Sequence, residues 1–99
     1  MAIYNNISSA TTTTLITKDS GVSGNIRSIL TTNHDDSDSC VVKIQLNDGA
    51  GSPTIYVINE TNIPPRASLL LEDNIQFDSD RYNLQAVTDS TADITIIIK

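Results

Sequence analysis

Three features of this sequence predict an all-β fold, a single antiparallel β-sandwich or jelly-roll-like domain of about seven to nine short strands. Val, Ile and Thr supply 31 of the 99 residues. Their branched Cβ costs rotamer freedom in a helix and suits a pleated strand. Asp numbers ten against two Glu. Asp bonds its own nearby backbone and favours turns, whereas Glu is a helix former. Finally, apolar and polar residues alternate with period two between clusters of turn residues spaced about 8–15 residues apart.

The length makes one domain, residues 1–99. With no Trp and one Phe, the core is aliphatic, and fourteen Ile residues provide most of it. Residues 1–14 form either an N-terminal arm or a first strand. Within them the run Ser8, Ser9, Ala10 and Thr11 to Thr14 reads as a polar connector leading into a strand. The competing reading is an arm that orders on a partner.

Residues 25–33 alternate so that Ile26, Ser28 and Leu30 share one face and Arg27 and Ile29 the other. Residues 39–47 place Cys40, Val42, Ile44 and Leu46 inward. Residues 54–60 set Ile55 and Val57 against Tyr56 and Ile58, so both faces are apolar. Residues 65–74 are ambiguous. Pro65 suits a first helical position, but Glu72 and Asp73 would then lie at the negative helix end. Leu69, Leu70 and Leu71 fit a short strand buried on both sides, which is our reading. Residues 82–87 direct Tyr82, Leu84 and Ala86 one way, and residues 92–99 direct Ala92, Ile94, Ile96 and Ile98 one way with Ile97 behind. The separators at 18–21, 33–38, 47–53, 78–80 and 89–91 are rich in Asp, Asn, Ser and Gly, which supply or tolerate positive φ.

The net charge of −6 argues against nucleic acid, whose binding needs a basic patch. The six cations are scattered along the chain. No apolar run approaches the ~20 residues of a membrane helix. The N-terminus has neither a basic nor an apolar signal region, so a soluble cytoplasmic product is expected. One cysteine excludes an intrachain disulfide.

Chemistry is hard to find. A nucleophile needs a base beside it. His34 sits in an acidic turn, and Cys40 lies on an apolar face, where a thiol behaves as a small buried hydrophobe. The run Asp35, Asp36, Ser37 and Asp38 offers oxygens to a hard cation such as Ca²⁺. It lacks the turn Gly and closing Glu of an EF-hand loop. No enzyme activity, resident metal or cofactor is expected.

Surface remains. Strands apolar on both faces need cover on both. A single small sandwich covers only one face of each sheet, so we expect Ile97, with Ile55 or Ile58 nearby, at an intersubunit contact.

The chain resembles the small virion structural proteins of tailed bacteriophages, cyanophage type. The resemblance runs through Tyr4, Asn5, Asn6, Ile7, Ser8 and Ser9, then Gly24 to Ile29, then the acidic segment 35–39. It continues through Ile63, Pro64, Pro65 and Arg66 to Asp73, and closes on Ile94 to Lys99. It implies a sandwich or jelly-roll-like capsid decoration (cement) subunit, bound to the major capsid protein and often a homotrimer. It implies a virion location after synthesis in the host cytoplasm. A neck, tail or baseplate component is the alternative reading. A carbohydrate- or receptor-binding module is a third, for which Tyr4, Tyr56, Tyr82 and Phe77 are the only aromatic platforms.

Overall fold

The computed structural model describes residues 2–21, 23–49, 55–89 and 93–99. These form eight strands: β1 (Ile3–Ile7), β2 (Thr11–Ile16), β3 (Ser23–Asn33), β4 (Cys40–Asn47), β5 (Ile55–Ile63), β6 (Ser68–Asp78), β7 (Asn83–Thr88) and β8 (Ile94–Ile98). All pairings are antiparallel, in two four-stranded sheets ordered β1-β8-β3-β6 and β2-β7-β4-β5. The domain is therefore the all-β sandwich that composition and alternation predict. Strand one pairs with eight, two with seven, three with six and four with five. The chain is thus a doubled ribbon rolled once on itself, which is jelly-roll order.

The inner faces supply the core. On β8, Ile94, Ile96 and Ile98 point inward, as alternation predicts. On β4, Cys40, Val42 and Ile44 do so, and on β7, Leu84 and Ala86. Leu46 and Tyr82 pack partly buried against this cluster. Phe77 closes it from β6. Residues 65–74 hold no helix. β6 begins at Ser68 and runs on to Asp78, past the predicted end of the segment.

The structure revises three sequence expectations. The Thr run is not a connector: Thr11 to Thr14 are the first residues of β2 and pair with β7. Hydroxyls branched at Cβ are good strand residues, and polarity alone hid that. Secondly, Ile26, Ser28 and Leu30 do not share a face. A bulge interrupts β3, where the amides of Arg27 and Ser28 both donate to the Lys99 carbonyl, at 2.7 and 3.1 Å. Beyond it Ile29, Thr31 and Asn33 are buried, and Leu30 turns outward. One extra residue moves every later side chain to the opposite face. Thirdly, β5 does not alternate strictly. Tyr56 pairs with Gln45 and Ile58 with Ile44, which leaves Val57 in a register shift. A second shift follows, with Glu60 at φ 42°.

The turns use the predicted chemistry. Asp19 and Gly21 adopt φ 63° and 80°, and Gly49 adopts 77° while its amide donates to Asn47 Oδ1 at 2.7 Å. The Asp80 amide donates to Asp78 Oδ1 at 3.0 Å. Parts of the turns predicted at 47–53 and 89–91, and the predicted strand starts at Thr54 and Ala92, lie outside the described residues.

Thr31 contributes a testable flaw. Its side chain is fully buried on β3, and among the described residues Oγ1 has no hydrogen-bond partner. An unpaired buried hydroxyl costs about 1–3 kcal/mol. Thr31→Val keeps the shape and removes that atom, so we expect stabilisation by about 1 kcal/mol. Urea unfolding measures it; an unchanged or lowered midpoint refutes it.

Candidate interaction surface

The clearest surface feature lies on the outside of the β1-β8-β3-β6 sheet. Register places Tyr4 opposite Ile97, Ile97 opposite Leu30, and Leu30 opposite Leu70. One apolar row therefore crosses all four strands, about 14 Å from first to last at the usual strand spacing. Leu30 and Ile97 in the middle are half-buried by their neighbours, while Tyr4 and Leu70 at the ends are 68% and 51% exposed. Leu30 reaches this row only because of the β3 bulge.

A polar row runs beside it. Asn6, Thr95, Thr32 and Ser68 occupy the adjoining positions on the same four strands. The Thr95 hydroxyl donates to Asn6 Oδ1 at 2.7 Å, and Thr32 and Ser68 share a 2.9 Å hydroxyl bond. His34 Nε2 bonds Thr95 Oγ1. These bonds link the side chains of the row to one another and to His34. The two rows together give an uncharged strip with an apolar seam.

The outer face of the second sheet is different. Lys43 Nζ lies 3.3 Å from Glu60 and 5.9 Å from the Tyr56 ring centre, and Gln45 bonds Gln85 at 3.0 Å. Lys43 lies over one face of its exposed Tyr56. Of the three predicted contact residues, Ile97 alone sits in the apolar row. Ile58 faces the core, and Ile55 is exposed near the start of edge strand β5, in the other sheet. Sequence reading missed Tyr4, Leu30 and Leu70. Alternation around Ile3 and Ile7 carries a signal for Tyr4, and the triple Leu carries one for Leu70. Leu30 had none.

The residues weighed for chemistry are placed apart. Cys40 lies inside the core opposite Ile63, while His34 is exposed and bonded to Thr95. Burial, then the neighbouring Asp89, pushes the Cys40 thiol up to about 11. We expect native protein to resist thiol alkylation at pH 8 and to react fully in denaturant; rapid native labelling refutes this.

The acidic turn satisfies itself. Asp35 Oδ1 accepts the amides of Ser37 and Asp38 at 2.8 and 2.9 Å, which lowers the Asp35 pKa. Asp36 pairs with Arg66 at 3.0 Å. Among the described residues no group of three or more His, Cys, Asp or Glu side chains converges.

An open groove of about 520 Å³ lies where β3 begins and β4 and β6 end, with Leu46 and Phe77 as its apolar part and Asn25, Gln76 and Asp78 as its polar part. The Arg81 guanidinium lies 5.6 Å from the Tyr82 ring centre and occupies one aromatic face.

Among the described residues no helix is long and apolar enough to cross a membrane. Comparison with protein-family models, with curated proteins and with solved structures finds no match to this chain.

Proposed function

We propose that this chain is a non-enzymatic structural subunit of a virus particle, a capsid decoration protein that docks on the major capsid protein. The observation that carries the reading is the uncharged outer strip with its row of Tyr4, Ile97, Leu30 and Leu70. A face of this kind gains by burial against a partner. Eight-stranded jelly rolls recur in viral capsid and lectin domains, which supports the address by analogy of fold alone. The resemblance in sequence supplies the phage context. Mechanistically, a subunit that binds only the assembled shell stabilises it by mass action.

The test is position and copy number in a density reconstruction of intact particles. Hundreds of copies over the shell are the expected result. About a dozen at one vertex would move the protein to the neck, tail or baseplate. Absence from purified particles would end the virion reading.

A further inference from the structure

We propose that β6 is a pairing edge for a second copy of this chain, with β6 against β6, antiparallel, across a twofold axis at Leu70. The proposal needs no virus address and concerns the purified protein. It replaces the trimer implied by resemblance with a twofold dimer.

Among the described residues the strand orders leave four edges: β1, β6, β2 and β5. An open edge offers unpaired amides and carbonyls to any passing strand, and proteins blunt such edges. Three of these are blunted. β1 touches β2 of the other sheet. The register of β2 breaks between Thr14 and Ile16. β5 breaks twice and holds Glu60 at φ 42°.

β6 is different. From Ser68 to Glu72 it pairs with β3 residue by residue, with no break. The turn before it contains Arg66 at φ 59°, and the register shift follows Glu72. The regular stretch is therefore five residues long and centred on Leu70. Its apolar residues lie on both faces: Leu69 and Leu71 are partly buried against the core, and Leu70 is half exposed outside. A lone edge strand leaves all three incompletely covered.

The sequence of this stretch is complementary to itself. With Leu70 on the axis, Leu69 faces Leu71 of the partner subunit and Glu72 faces Ser68 of the partner subunit. The apolar centre meets an apolar centre, and the acids of two chains of charge −6 are kept apart. A register centred on Glu72 or Asp73 would oppose like charges. The twofold pairing also joins two outer rows into one, spanning eight strands and doubling the docking strip.

Disulfide trapping tests the register. Opposed residues in an antiparallel pair have Cα atoms about 4.5–5.5 Å apart, within disulfide reach. Leu70→Cys is expected to cross-link to itself under mild oxidation. Glu72→Cys lies about 13 Å from its counterpart, four residues along the strand, and is expected to cross-link at least ~10-fold more slowly. The unsubstituted chain, whose Cys40 is buried, is expected not to cross-link. Light scattering at about 100 μM should give a dimer, a concentration that saturates micromolar contacts. Leu70→Lys should give a folded monomer by circular dichroism and scattering. A monomeric or trimeric native protein, equal cross-linking at both positions, or a dimer that survives Leu70→Lys would overturn the proposal.

Discussion

Asn33→Asp is expected to destabilise the domain by about 3–5 kcal/mol at neutral pH, the range for a buried charge left without a partner. Asn33 is fully buried at the end of β3. Its Nδ2 donates to the carbonyls of Asp38 and Ile63 at 2.9 and 3.0 Å. Oδ1 accepts the Asp35 amide at 3.0 Å, and the Asn33 amide donates to Ala67 at 2.9 Å. The side chain thus ties β3 to the acidic turn and to the end of β5, and the main-chain amide ties it to the turn before β6. A carboxylate there would face two carbonyl oxygens that it cannot serve as donor. Burial and those oxygens would raise its folded pKa above the unfolded value of about 4. A raised acid is tolerated while protonated, so the deficit relative to the native chain should be smallest below about pH 4 and grow as pH rises. Asn33→Leu should lose about 3 kcal/mol at any pH, because the orphaned backbone groups do not titrate. Urea unfolding at pH 3.5 and pH 7 separates the two. A pH-independent deficit for Asn33→Asp would refute the assignment of Nδ2 as the critical donor.

The second large effect contrasts neighbours on one strand. Ile96 is fully buried in β8, while Ile97 is in the outer row. Ile96→Asp removes a core side chain, worth about 2–5 kcal/mol, and adds an unpaired buried charge of several more. Against a total stability of about 5–15 kcal/mol for small domains, that variant should be largely unfolded. Ile97→Asp should remain folded, within about 1 kcal/mol of the native chain, as surface substitutions do. Its loss should be in docking, read as failure to co-sediment with particles stripped of the subunit. Two unfolded variants would place Ile97 in the core and remove the proposed surface; two folded ones would contradict the sandwich.

Much of this was legible beforehand. Alternation in residues 39–47, 82–87 and 92–99 identifies inward faces correctly at Val42, Ile44, Leu84, Ile96 and Ile98. Those strands keep period two because they pair without interruption on at least one side. Asn33 was legible only as a turn residue, since Asn is common in turns and rare in cores. Its burial depends on three backbone segments that converge from positions 35, 38 and 63.

By itself the sequence determined the all-β class, the aliphatic core and the chemistry of the turns. All three arise from residues near one another in the chain: Cβ branching, period two, and Asp or Gly at positive φ. Tertiary structure decided the strand order, since among the described residues only β4 and β5 pair as sequence neighbours and every other ladder joins distant segments. It also decided which side chains face out. Arg27 and Ser28 both bond the chain's last residue, Lys99, and that long-range contact turns Leu30 into line with Tyr4, Ile97 and Leu70. A local pattern cannot register a bulge imposed by a strand seventy residues away, so the surface proposed for docking came from packing.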